Sequence, residues 1–114
     1  MDASRRELAD VLREARALLA LPDNCFDWSS WADRDTALQE VDTLIAVLDA
    51  RRLPSRLTLR VLFAPTGPIQ EVSISSGWGQ EFLALADRFD RAEERAYEQS
   101  SWWRRLLNRR LARA

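Results

Sequence analysis

Apolar residues at Leu8, Val11, Leu12, Ala15, Leu18 and Leu19 recur at helical spacing and predict a first helix. Its start is expected near Ser4. Ser4-Arg5-Arg6-Glu7 matches the capping box, in which the hydroxyl meets the third amide and the carboxylate reaches back. Pro22 marks its end. A second stripe, Leu38, Val41, Leu44, Ile45 and Leu48, predicts a second helix with Ser29 or Ser30 as its cap. Asp33 and Asp35 fall in its first turn, where negative charge suits the helix dipole. Leu53-Pro54 closes it.

Beyond Pro54 the period changes. Leu57, Leu59, Val61 and Phe63 alternate with Thr58, Arg60 and Leu62, which reads as a strand. The next residues, Ala64-Pro65-Thr66-Gly67-Pro68, cannot continue a ladder and predict a turn. Alternation resumes with Val72 and Ile74 against Glu71, Ser73 and Ser75, so a β-hairpin is expected. Gly77-Trp78-Gly79 acts as a hinge, and Phe82, Leu85, Ala86 and Phe89 form a third helical stripe. Glu93 falls on that stripe, so core contact is expected to stop near Ala92, with a break near Ser100 or a protruding arm beyond it. The expected fold class is α+β: two N-terminal helices, a β-hairpin, then one long or broken C-terminal helix. Residues 1–99 form the domain and 100–114 a tail. Unpaired hairpin edges and the C-terminal helix are the two routes open to a homodimer.

Composition narrows the chemistry. A chain of 114 residues, 46% apolar and 31% charged, is ordinary for one globular domain. It carries no apolar run long enough to span a membrane, and MDASRRELAD lacks an apolar signal segment, so a cytoplasmic location is expected. A single cysteine cannot form an internal disulfide. Histidine and lysine are both missing; all seventeen cations are arginine. That removes the usual proton-transfer residue, the usual zinc ligand and the usual Schiff-base amine. Charge is also unevenly placed. Residues 1–101 hold twelve arginines against eighteen acids, whereas residues 102–114 hold five arginines and no acid.

Each cluster that suggests chemistry has a plainer explanation beside it. Asp23, Asp27, Asp33 and Asp35 could gather a hard cation or act as acid and base in a carboxylate-dependent enzyme, but they match no calcium loop and acids collect at helix starts for ordinary reasons. Ser73, Ser75 and Ser76 lack a histidine to activate them, and no Gly-x-Ser-x-Gly elbow exists. Thr66-Gly67 and Gly77-Trp78-Gly79 are not phosphate loops, because the Walker pattern requires more glycine and a lysine. Cys25 sits among acids, which oppose a reactive thiolate, and reads as a small buried hydrophobe. Trp28, Trp31 and Trp78 are candidates for a recognition surface, although such residues more often close a core. In the tail, Trp102, Trp103, Arg104, Arg105, Arg109 and Arg110 combine rings and cations suited to an anionic membrane surface or to nucleic-acid phosphates. A tail folded onto the acidic body or onto a second subunit is the further alternative.

The strings FDWSSWADRDTALQEVDTLI and LFAPTGPIQEVSISSGWGQEFLALADRFD resemble a family of small bacterial proteins of unknown function, over roughly residues 20–92. The resemblance implies a bacterial cytosolic domain and carries no catalytic residues with it. The expected function is a non-enzymatic protein-interaction domain with an unidentified protein partner, an immunity or antitoxin-like role being one concrete form. The alternative is a peripheral membrane-surface or nucleic-acid module working through the tail. No cofactor or metal is expected.

Overall fold

The computed structural model describes the backbone of residues 2–113 and the side chains of residues 3–98, 105, 106 and 109. Five helices follow in order: α1 (Asp2–Leu19), α2 (Arg34–Asp49), α3 (Arg56–Phe63), α4 (Pro68–Ser76) and α5 (Gly79–Arg113). Among the described residues there is no strand, so the expected α+β class and its β-hairpin are replaced by an all-helical fold.

α1 lies at the centre. It buries Leu8, Ala9, Val11, Leu12, Ala15 and Leu19, a band too wide for one neighbour. α2 covers one flank and α5 the other, while among the described residues α2 and α5 do not meet. Ion pairs follow the same division. Arg13 pairs with Asp49 at 2.6 Å and Arg16 with Asp42 on the α2 side. Arg88 of α5 bridges Glu7 at 3.0 Å and Glu14 at 2.6 Å on the other. All of these are half-exposed, so they set register more than stability.

Two expected boundaries move. Ser4 lies inside α1, which begins at Asp2. α2 is capped by Asp33 rather than by Ser29 or Ser30: its Oδ1 accepts from the Thr36 N–H at 2.8 Å and from the Thr36 hydroxyl at 2.7 Å. Those two donors hold the Asp33 carboxyl below its ordinary pKa.

The hairpin segment folds as two short helices around the expected turn. In α3 the buried residues are Leu59, Leu62 and Phe63, spaced three and four apart. Leu57 and Val61, which an inward-facing strand would bury, are 71% and 53% exposed. In α4 the buried set is Ile69, Val72 and Ser73, again at helical spacing, and Ile74 is 68% exposed. Ser55 caps α3 by accepting from Thr58 N–H at 3.4 Å. α4 has Pro68 in its first turn and Gly77 in the left-handed region at φ 87° just past its end. Proline inside the start and glycine past the end are helix punctuation. A homodimer through hairpin edges therefore has no edges to use.

α5 runs from Gly79 to Arg113 without a break at Ser100, about 52 Å at 1.5 Å per residue. Its packing continues past the expected limit at Ala92, because Glu93 is only 5% exposed and Ala96 is buried as well. The molecule measures 59 Å along its longest axis against 23 and 21 Å across.

Candidate functional site

The loop between α1 and α2 holds Trp28 and Trp31, and hydrogen bonds in and around it decide the roles of these rings and of Trp78. Asn24 Nδ2 donates to the Leu18 carbonyl at 2.7 Å and the Leu19 carbonyl at 2.9 Å, closing the end of α1. Its Oδ1 accepts from the Trp78 indole N–H at 2.8 Å. The Trp31 indole donates to Glu40. Trp31 and Trp78 are thus buried anchors that pin the loop to the body. Trp28 differs, being 77% exposed. The three rings do not make one surface.

The remaining candidates disperse in the same way. Ser73 Oγ is buried and donates to the Gln70 carbonyl at 2.8 Å, while Ser76 Oγ accepts from Cys25 N–H at 2.9 Å. Among the described residues no group of three acids or cysteines is placed to hold a metal. Arg105 and Arg109 are exposed on α5. Trp102, Trp103, Arg104 and Arg110 have side chains outside the described residues.

The described residues form a concavity that sequence patterning did not single out. A groove of about 540 Å³ runs between α3 and α5. Its apolar part is formed by Phe63, Phe82, Leu83, Ala86 and Phe89. Phe63 stacks on Phe89 with centroids 4.2 Å apart and planes inclined by 10°. Asp90, Glu94 and Glu98 rise along the α5 side at intervals of one turn. Among the described residues none of the three makes an ion pair.

At one end of the groove sits Glu93. Its Oε1 accepts from Arg56 Nε and from Arg60 Nε, the latter at 3.2 Å. A carboxylate on an otherwise apolar stripe is sustained there because two guanidiniums replace its water. The bond to Glu93 also raises the Arg56 pKa above its ordinary value. Arg56 lies 5.5 Å over the Tyr97 ring, and the Tyr97 hydroxyl donates to the Pro54 carbonyl. Burial pushes the Tyr97 hydroxyl up to about 12, helped by the Glu93 charge and opposed by Arg56. Tyr97 therefore keeps its proton at neutral pH, and Glu93 Oε1 is shared by two guanidiniums. The cluster is a tie between α3 and α5.

That tie has a pH signature. A folded-state pKa raised above the ordinary value of 10 means the folded form holds the proton longer. Its contribution is complete below pH 10 and is lost as pH rises toward 12. The chain has one tyrosine and no lysine, so few groups obscure this limb. Unfolding free energy followed from pH 9 to 12 is expected to fall with a slope approaching one proton, with tyrosinate absorbance rising late. Tyr97→Phe is expected to flatten that slope while lowering stability at pH 7 by about 1 kcal/mol, the worth of the lost hydrogen bond.

No protein-family model matches the chain, and neither a curated protein nor a solved structure does. The resemblance seen in the FDWSSW and LFAPTGP strings rests on those strings alone. No helix of the described residues is long and apolar enough to cross a membrane.

Proposed function

We propose that the chain is a small non-enzymatic interaction module whose α3–α5 groove receives a basic amphipathic helix of a protein partner. The groove itself supports this reading: exposed Leu83 and half-buried Ala86 offer apolar contact over the buried rings of Phe63, Phe82 and Phe89, beside three carboxylates free of ion pairs among the described residues. Helix-in-groove recognition needs both parts, anchors for affinity and charge for orientation. An immunity or antitoxin role fits the same chemistry, since an acidic face steers a basic target and covers it.

The test is a fluorescence titration with a synthetic Leu/Arg amphipathic helix and with a Leu/Glu counterpart. The basic peptide is expected to bind in the micromolar range and to weaken with salt. Leu83→Glu and Asp90→Arg, both on the groove, are each expected to weaken it about tenfold. Equal binding of both peptides, or no effect of either substitution, sinks the proposal.

The exposure of Arg105 and Arg109 favours a second reading, contact of the helix end with an anionic membrane or nucleic acid. It predicts salt-sensitive binding to phosphatidylserine vesicles or to duplex DNA that disappears in R105E/R109E. Binding that survives that change rules the helix end out.

A further inference from the structure

We infer that the helix received by the groove is the arginine-rich end of α5 from a second copy of this chain, the two α5 helices lying antiparallel. The inference rests on the groove reading above and names its partner.

α5 carries its charge in two blocks. Asp90, Glu94 and Glu98 repeat every four residues along the groove, and Arg105 and Arg109 repeat at the same interval beyond. Glu98 and Arg105 are seven residues apart, close to two full turns, so both columns fall on one side of the helix. A two-fold axis that sets Glu94 against the second copy's Arg105 also sets Asp90 against the second copy's Arg109. By symmetry each contact occurs twice. A parallel pair would instead set like charges together, which is unfavourable.

Among the described residues these charges have no partner within one copy. Elsewhere Arg13, Arg16, Arg88 and Arg91 are matched to carboxylates of the same chain. Asp90, Glu94, Arg105 and Arg109 make no ion pair with any described residue.

Helix length points the same way. Among the described residues the last buried side chain on α5 is Ala96, and the helix continues seventeen residues to Arg113, about 25 Å. A helical stretch of that length is marginal in water unless something packs on it.

The test is sedimentation equilibrium on the full chain between micromolar and millimolar concentration, with circular dichroism confirming that each variant stays helical. The wild type is expected to form a dimer that weakens as salt rises. R105E/R109E and D90R/E94R are each expected to weaken it at least about tenfold. Combining all four changes restores opposite charges at every contact and is expected to restore the dimer. A wild type monomeric throughout, a dimer indifferent to both double reversals, or a four-fold variant no better than either pair overturns the inference. A monomer that still binds the Leu/Arg peptide at the groove overturns self-pairing alone and leaves the interaction module standing. A monomer that also ignores the peptide removes both.

Discussion

Phe89→Ala is expected to lower the unfolding free energy by about 3–5 kcal/mol, the range for deleting a buried aromatic side chain. Phe89 is 2% exposed and sits where three contributions coincide. Its ring is stacked on Phe63, and such pairs contribute about 0.5–1.5 kcal/mol beyond the area they bury. Phe63 in turn stacks on Phe82 at 6.4 Å, so the gap opened by alanine cannot close without moving a second pair. Collapse from above is also blocked, because Glu93 is held in place one turn further along α5. Chemical denaturation should show the loss in midpoint with little change in slope. Phe89→Leu, which keeps most of the volume, is expected to cost far less. Equal costs for the two variants would show that the site relaxes, contrary to the packing described.

Gly67→Ala is expected to cost about 2–3 kcal/mol, near the upper end for forcing atoms into filled space. A methyl group on Gly67 would lie 2.6 Å from the Val61 carbonyl oxygen and 2.8 Å from that of Ala64. Neither oxygen is free to retreat. Val61 O accepts from Ala64 N–H, and Ala64 O accepts from Gly67 N–H. The demand here is for space alone, since Gly67 has φ −78°, open to any residue. Gly77→Ala makes the informative comparison. It has nothing within 4 Å of its added methyl but sits at φ 87°, so its expected cost of about 1–2 kcal/mol is conformational. Thermal unfolding of the two variants should rank them in that order.

The same glycines explain what could be read in advance. α1, α2 and the start of α5 were legible because each repeats its apolar spacing over several turns. The turn at residues 64–67 was legible from Pro65, Gly67 and the flanking Pro68. The elements it joins were not. Leu57, Leu59, Val61 and Phe63 fit a two-residue period, while Leu59, Leu62 and Phe63 fit a helical one, and a run of eight residues cannot separate them. Pro68 and Gly77, weighed as helix start and stop, were the signal that favoured helix. Glu93 misled for a different reason. A carboxylate on an apolar stripe looks like the end of a core, and only tertiary structure shows Arg56 and Arg60 arriving from α3 to meet it. The groove was invisible for the same cause, because its two walls are distant in sequence.

The central position of α1 has a consequence for synthesis. Translation delivers α1 before α2 and α5, and α2 can clasp it at once, yet its opposite flank stays bare until residues 82–96 leave the ribosome. Nascent chains stalled before that point should be sticky, protease-sensitive and retained by chaperones, and release of α5 should end all three conditions together.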